Sequence, residues 1–193
     1  MTFSPSGIRY VFLDRDGVIN RKPPEGAYIS QWGDFDFLPG AETAIAMLNR
    51  SGRRVIVVSN QRGIALGRYT IADVEAIHAK LQEHLATHDA HIDAFYYCPH
   101  DKDQCDCRKP KPGLLQQAFR DYPEASAANS LLIGDSLSDI QAAAGLGIPC
   151  IFIQGDLLMQ KKGAEKAAYL ADAVSASLLD AVEKNLPADA NAS

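Results

Sequence analysis

The chain has 193 residues, of which 47% are hydrophobic and 22% charged, and its formal net charge is −5 at pH 7. These values are typical of a globular protein with one sizeable core. The acidic balance argues against a dedicated nucleic-acid-binding protein, which is usually basic. No apolar run approaches the roughly 18–20 residues that span a bilayer, and the first ten residues lack the apolar core of a signal peptide. We therefore expect a cytoplasmic protein whose thiols stay reduced.

Short apolar runs alternate with helical patterns along the chain, which predicts βαβ units and a parallel sheet covered by helices on both faces. The predicted strands are Tyr10–Leu13, Arg54–Ser59, Ala94–Tyr97, Leu131–Ile133 and Cys150–Ile153, and the predicted helices are Ala41–Arg50, Ile71–Leu85, Leu114–Arg120 and Asp139–Ala144. The expected fold is a three-layer α/β/α sandwich, formed by one domain over residues 1–193. The small polar residues 187–193 are expected to fray.

Two segments are too irregular for the scaffold, Asn20–Pro39 and Cys98–Gly113. Loops of this length are usually functional, and both follow the carboxyl end of a strand, where open α/β sheets bind ligands. We expect Trp32, Phe35 and Phe37 to anchor the first loop, which is too short for a large cap domain. Four histidines on or near the second predicted helix are expected at the surface: His78, His84, His88 and His91.

Acidic residues follow two predicted strands at the point where each strand ends. Asp14 and Asp16 come after the first strand, and Asp135 and Asp139 after the fourth. Carboxylates placed there without a cation or a role would be costly. Three carboxylates that converge at one sheet edge suit Mg²⁺, which prefers oxygen ligands. For Asp139, capping of the next helix is an equally good interpretation.

Polar and basic side chains follow the two remaining strands of the predicted site. Ser59 ends the second strand, and its hydroxyl, with the backbone N–H groups of the next turn, can hold a phosphoryl oxygen. Arg108 and Lys109 follow the third strand. Lysine is a point charge for a phosphoryl group, and arginine grips an oxyanion with two parallel bonds. Each signal is weak by itself, because basic residues in loops are usually solvated.

Together these four segments resemble the haloacid dehalogenase (HAD) superfamily of phosphatases, whose fold is a Rossmann-like α/β/α sandwich. The match comprises Phe12–Gly17, Ser59–Gln61, Lys109, and Gly134 and Asp135 with Asp139, and it extends over residues 10 to 150. The order and spacing of the four segments make the combination specific.

The resemblance implies a role for each matched residue. Asp14 would attack phosphorus and form an aspartyl phosphate, and Asp16 would protonate the leaving group and then activate water. Mg²⁺ would be bound by Asp14, by the backbone carbonyl of Asp16 and by Asp135. Ser59 and Lys109 would neutralise the transferring phosphoryl group. These roles agree with phosphoryl transfer in general, which depends on positioning and charge compensation.

Four soft or borderline metal ligands lie within ten positions: Cys98, His100, Cys105 and Cys107. Three thiolates and one imidazole suit tetrahedral Zn²⁺, and four protein ligands leave no position open for a substrate. We therefore predict a structural zinc that folds the 98–107 loop and fixes the two cations that follow it. The competing interpretation is three unliganded cysteines near one histidine.

Within the superfamily, the zinc loop resembles those of the histidinol-phosphate phosphatases and of the D-glycero-D-manno-heptose 1,7-bisphosphate phosphatases. Four segments look more like the heptose enzymes: Asn60–Thr70, Tyr96–His100, Cys107–Gly113 and Asp139–Ala143. The heptose resemblance implies a small phosphorylated sugar as substrate, in lipopolysaccharide precursor synthesis, and a monomer is expected. The expected substrate-binding residues are Arg15, Asn60, Gln61, Arg62 and Arg108. Histidinol phosphate stays the alternative substrate, and a non-catalytic binding module is a further alternative.

Two residues depart from the pattern of the heptose enzymes. Arg62 stands where that family usually has a small residue, and Ser136 stands where some members carry a lysine beside the metal-binding acid. Both departures bear on the choice of substrate and anomer rather than on the chemistry.

Overall fold

The computed structural model describes residues 4–24, 26–156, 160 and 162–187. Six strands form one sheet: β1 (Tyr10–Leu13), β2 (Arg54–Asn60), β3 (Ala94–Cys98), β4 (Ser130–Gly134), β5 (Cys150–Ile153) and β6 (Ala173–Ser175). Their order is β3-β2-β1-β4-β5-β6, and every neighbouring pair is parallel. The strand order reverses direction between β1 and β4, which is where open α/β sheets bind their ligands.

The register of the central strands decides which residues meet at the carboxyl edge. Leu13 of β1 lies opposite Val57 of β2 and Ile133 of β4. The residues that follow these positions, including Asp14 and Ser59, therefore emerge side by side. The strands β1 and β4 are buried along their whole length, as expected for apolar runs covered on both faces.

Six helices cover the sheet: α1 (Ala41–Arg50), α2 (Ile71–Ala86), α3 (Gly113–Asp121), α4 (Leu137–Ala144), α5 (Ala164–Leu170) and α6 (Leu178–Asn185). The apolar faces of α1, α2 and α6 pack into one core cluster, and those of α3, α4 and α5 pack into a second one on the opposite face. The three-layer α/β/α sandwich predicted from the sequence is therefore confirmed. No helix in the described part of the chain is long and apolar enough to cross a membrane.

The carboxyl-terminal third contains three elements that the sequence analysis did not predict. They are α5, β6 and α6, and each has three to eight residues. β6 extends the sheet only because it pairs with β5, and short segments of this kind carry little periodicity of their own. Residues 188–193 of the tail that is predicted to fray lie outside the described residues. The first residue of that tail, Pro187, accepts a hydrogen bond from Arg53 through its carbonyl.

The loop between β1 and α1 is anchored by aromatic side chains, as predicted. Trp32, Phe35 and Phe37 pack on the first core cluster and on one another. A single 3₁₀ turn, Trp32–Asp34, is the regular element described within this loop. The half-buried ring of His84 in α2 stacks on Phe37, so the loop is fastened to the end of that helix.

The prediction that His78 is a surface residue is wrong. Its side chain is buried in α2 and stacks on Phe95, with ring centroids 4.2 Å apart. Burial is the largest cause that lowers the pKa of His78, to about 3, and the positive charge of Arg15 adds to the shift. The folded protein therefore holds this imidazole neutral.

Burial of His78 predicts a loss of stability in acid. Between pH 6.5 and pH 3 the unfolded chain binds a proton at this residue and the folded chain does not, so its contribution falls as the pH falls, by up to about 1.4 kcal/mol per pH unit. In His78→Phe the free energy of unfolding, measured with urea, should depend less on pH over this range. Parallel pH curves for the two proteins would contradict the assignment.

Candidate functional site

Asp14 lies directly after β1, at the centre of the sheet. Its backbone N–H donates to the carbonyl of Ile133 in β4, at 3.0 Å, which continues the parallel pairing past the end of the strand. Its carboxylate accepts the N–H of Arg15 at 2.9 Å and is 6% exposed. A buried carboxylate is thus held at a fixed position on the carboxyl edge.

Lys109 reaches the same position from the loop after β3. Its Nζ lies 3.0 Å from Oδ1 of Asp14 and 2.6 Å from Oδ1 of Asp139, and it donates to the carbonyl of Val58 at 2.6 Å. Burial alone lowers the pKa of Lys109, but the carboxylates of Asp139 and Asp14 outweigh it and raise that pKa. The ammonium therefore stays charged in a site that excludes bulk water.

Three carboxylates gather beside Lys109. One oxygen each from Asp14, Asp135 and Asp139 lies within 4.8 Å of the other two. This all-oxygen, negatively charged set fits Mg²⁺. Only glycine fits at position 17, because the φ of Gly17 is +101° and a Cβ there would collide with the carboxylate of Asp135.

Asp139 caps α4, one of the two interpretations that the sequence left open, and it also contacts Lys109. Its Oδ2 accepts from the backbone and hydroxyl of Ser136 and so caps α4. Its Oδ1 meets Lys109. The carboxylate therefore joins the amino-terminal end of α4 to the charged cluster.

The carboxylate of Asp16 lies outside this group of three oxygens and is hydrogen-bonded by other side chains. Arg15 binds both of its oxygens at 3.0–3.1 Å, Asn20 donates to it at 2.9 Å, and Gln61 donates at 3.5 Å. The guanidinium of Arg15 is fully buried beneath Asp16 and does not line the cleft. The structure thus places Arg15 behind the site, not among substrate-contacting groups as expected, because its charge is needed to orient Asp16.

Ser59 is the end of a short hydrogen-bonded chain. The hydroxyl of Tyr69 donates to Oε1 of Gln61 at 2.7 Å, and Nε2 of Gln61 donates to Oγ of Ser59 at 2.7 Å. All three side chains are buried. Burial is the largest cause that raises the pKa of Tyr69, to about 12, so its hydroxyl keeps its proton at neutral pH.

Asn60 and Arg62 connect β2 to the loop that carries Lys109. The side-chain amide of Asn60 bonds both the N–H and the carbonyl of Lys109, each at 3.0 Å. Arg62 forms an ion pair with Asp101 in that loop, and Arg108 donates to the carbonyl of His100. Asn60, Arg62 and Arg108 all line the cleft, as does Gln61, and the amide of Asn60 also holds the backbone of Lys109.

The predicted zinc ligands lie together as unpaired thiols and one imidazole. Sγ of Cys105 is 3.5 Å from that of Cys98 and 3.2 Å from that of Cys107, and Nδ1 of His100 is 3.4 and 3.7 Å from two of the sulfurs. For a Zn–S bond of about 2.3 Å, tetrahedral geometry places the ligands roughly 3.5–3.8 Å apart. Burial raises the pKa of Cys98 and Cys107, so a cation is needed before all three sulfurs ionise together.

Asp14, Asp16, Ser59, Lys109 and Asp139 line a cleft of about 410 Å³, within the range of small-molecule sites. Asp135 lines a smaller pocket beside it, together with Gly17 and Lys22. One wall of the cleft is formed by the first irregular loop, including Lys22 and Tyr28, and the opposite wall by Ser136 and Ser138. No motif in the sequence marked Lys22, Tyr28 or Tyr69 as residues of the site. Lys22 lies 4.0 Å from Asp135, and its only signal in the sequence was its position in a long loop after β1.

The sequence of this chain is similar to one family model and to several known phosphatases. A family model described as HAD-hydrolase-like matches residues 106–181. The D-glycero-alpha-D-manno-heptose-1,7-bisphosphate 7-phosphatase of Mycobacterium bovis is 44% identical over 134 residues, which cover 69% of this chain and 70% of the relative. The corresponding beta-heptose enzyme of Pseudomonas putida is 38% identical over 76% of this chain and 83% of its own.

Solved structures agree with these relatives. The D,D-heptose 1,7-bisphosphate phosphatase of B. bronchiseptica, complexed with magnesium and phosphate, has a TM-score of 0.79 and 32% identity, and the match covers 91% of this chain and 97% of that one. The enzyme of Burkholderia thailandensis has a TM-score of 0.61 and 30% identity, covering 89% and 94%. At this identity and coverage, the chain belongs to the heptose-1,7-bisphosphate 7-phosphatase family of HAD-like hydrolases.

Proposed function

We propose that this protein is a Mg²⁺-dependent phosphatase that removes the 7-phosphate of D-glycero-D-manno-heptose 1,7-bisphosphate. The observation that carries the proposal is the contact of Lys109 with both Asp14 and Asp139, three residues that line one polar cleft. The heptose phosphatases of both anomeric series among the relatives support the choice of substrate. The proposal includes the cytoplasm as the setting, where such sugar precursors and reduced thiols coexist.

The proposed chemistry is a double displacement on phosphorus. A carboxylate oxygen of Asp14 attacks the 7-phosphoryl group, forms an aspartyl phosphate and releases the sugar alkoxide. Asp16, which is held at the cleft by Arg15 and Asn20, donates a proton to that alkoxide and then takes one from the water that hydrolyses the aspartyl phosphate. Splitting the displacement into two steps lowers each barrier.

Charge compensation comes from groups that are already in place. Lys109 presents its ammonium beside Asp14, and Ser59 lies at the end of the adjacent strand. Mg²⁺ held by Asp14, Asp135 and the backbone carbonyl of Asp16 would neutralise phosphoryl oxygens and the nucleophile, as bound divalent cations do in phosphoryl transfer. Because the sheet register fixes Asp14 and Ser59, and Asn60 holds the backbone of Lys109, little reorganisation is needed when the substrate binds.

The orientation of Ser59 follows from its hydrogen-bonded chain. Gln61 is fixed by Tyr69, so its amide donates to Oγ of Ser59. The amide of Gln61 thus occupies one lone pair of the Ser59 hydroxyl. The proton of that hydroxyl is then free to be donated to a different acceptor. In the complex that acceptor is a phosphoryl oxygen, which gives the buried chain a role in binding the transferring group.

Three further cationic side chains of the cleft can bind the phosphate group of the substrate that is not removed. Arg108 and Arg62 lie at the rim beside the zinc loop, and Lys22 lies on the facing loop. They offer positive charge to the phosphate that is not removed. Arg62, which departs from the family pattern, forms an ion pair with Asp101 of the zinc loop. We therefore expect Arg62 to influence the choice of substrate.

The proposed substrate is tested by phosphate release from both anomers of the heptose 1,7-bisphosphate, with histidinol phosphate as the comparison. We expect the value of kcat/KM for one heptose anomer to exceed that for histidinol phosphate by at least about 100-fold, the discrimination of a site built for particular polar groups. A chelator of Mg²⁺ should abolish release. Equal rates on both substrates, or the reverse preference, would reject the heptose assignment.

Replacing the nucleophile tests the chemistry separately from the substrate. Asp14→Asn should lower kcat by about a thousandfold or more, because loss of a nucleophile removes the covalent route, and the far-ultraviolet circular dichroism should not change. Asp36→Asn, at an exposed loop position paired with Arg21, is the matched control and should keep full activity. Activity retained in Asp14→Asn would disprove the aspartyl-phosphate mechanism.

Removal of the Tyr69 hydroxyl tests the orientation of Ser59. Tyr69→Phe keeps the ring and lets the amide of Gln61 rotate, so kcat should fall by about 3- to 10-fold, the value of one or two ordinary hydrogen bonds. The KM should change less, since the ring still fills the same space. Tyr169→Phe, at an exposed ring, serves as control, and an unchanged kcat in Tyr69→Phe would contradict the proposed chain.

The zinc proposal is tested by metal analysis and activity in the same samples. We expect the native protein to carry one zinc ion at this site and Cys105→Ser to lose it. The kcat of the variant should fall by at least about tenfold, because a slight misplacement of Lys109 by the loosened loop can cost that much. Cys150→Ala, at the buried cysteine of β5, should keep both zinc and activity. Full activity without zinc would show that the loop does not depend on the metal.

A further inference from the structure

A second group of metal-ligand side chains lies outside the cleft and the zinc loop. It consists of Glu42 in the first turn of α1, His84 in the last turn of α2, and His88 just beyond α2. One ligand atom from each lies within 4.8 Å of the other two. None of the three lines the cleft, so neither the proposed phosphatase chemistry nor the cysteine site uses them.

The spacing within this group matches a single small cation. His88 lies in the turn that follows α2, and the centroids of its ring and that of His84 are 4.7 Å apart. Glu42 approaches the two rings from α1. Nε2 of His84 lies 3.3 Å from Oε1 of Glu42. Two ligands of a tetrahedral zinc, each at about 2.0–2.1 Å from the metal, are about 3.3–3.4 Å apart.

The two imidazoles are held in place by their surroundings. The ring of His84 stacks on Phe37 with centroids 4.4 Å apart and lies near Trp32. Nδ1 of His88 lies 3.1 Å from the carbonyl oxygen of His84 and 3.0 Å from Oγ1 of Thr87. Ligand rings restrained by packing and backbone contacts lose less freedom when a metal binds.

The exposure of the three side chains allows a metal ion to enter the group from solvent. Glu42 and His84 are half-buried, and His88 is exposed. Two imidazoles and a carboxylate are a ligand set that suits Zn²⁺ and neighbouring transition metals rather than Mg²⁺. Three protein ligands would leave one tetrahedral position for water.

We propose that Glu42, His84 and His88 form a second site for a transition-metal dication of the zinc class. The bound ion joins the start of α1 to the end of α2, directly beside the aromatic side chains that anchor the loop on the cleft wall. The competing account is a simple carboxylate–imidazole pair, with both histidines at a helix carboxyl end where positive charge is favoured. That account predicts no metal.

The test is a titration of the tag-free protein with Zn²⁺, after metal analysis has shown that the cysteine site is filled. Calorimetry should detect one further zinc ion per chain. His88→Ala and Glu42→Gln should each weaken this step by at least about tenfold, since each removes one of three ligands. His91→Ala is the matched control, because His91 is an exposed neighbour that lies near Asp93 instead.

Titration with Co²⁺ identifies the ligands independently of affinity. The second site should give the visible bands of nitrogen and oxygen ligation without the sulfur charge-transfer band that a cysteine site produces. These bands should be absent in His88→Ala and present in His91→Ala. Absence of a further binding step in the native protein would overturn the proposal, as would a step that His88→Ala and Glu42→Gln leave unchanged.

Discussion

The ammonium of Lys109, buried between two carboxylates, is the interaction on which the rest of the site depends. Removing such a charge from water is expensive, and the contacts with Asp14, Asp139 and the carbonyl of Val58 offset that cost. Removal of one partner from a buried ion pair typically costs about 3–5 kcal/mol, because the remaining charge is left uncompensated. The cluster therefore forms only when β1, β2, α4 and the loop after β3 are all correctly placed.

This requirement explains why the loop after β3 is fastened at so many points. Lys109 belongs to a segment without a core of its own, yet its ammonium has to reach the centre of the sheet. Asn60 holds the backbone of Lys109 from β2, Arg62 pairs with Asp101, and four metal-ligand side chains converge between them. These contacts restrain the loop independently of the substrate, which is how a rigid scaffold gives precision to a residue on a loop.

The opposite wall of the cleft is stabilised differently. The loop between β1 and α1 contributes Lys22 and Tyr28 to the cleft and is anchored by stacked aromatic rings further along. One of these rings, Phe37, stacks on His84 at the end of α2, within the group proposed to bind a second cation. One wall thus combines polar contacts with a group of three thiols and one imidazole, and the other wall depends on aromatic packing. Between them lies a cleft open to a small phosphorylated substrate.

The sequence by itself determined the alternation of strands and helices, the parallel sheet, and the grouping of Asp14 and Ser59 with Lys109 of the loop after β3. These features follow from local patterns: apolar runs of strand length, acidic residues directly after two of them, and basic residues in the long loop after a third. The short elements β6 and α6 were not predictable, because they exist through pairing and packing with distant segments. Only the tertiary structure decided that Arg15 and His78 are buried and that Tyr69 reaches Ser59 through Gln61. Burial and long-range hydrogen bonds depend on which faces meet after folding, and no local pattern encodes that.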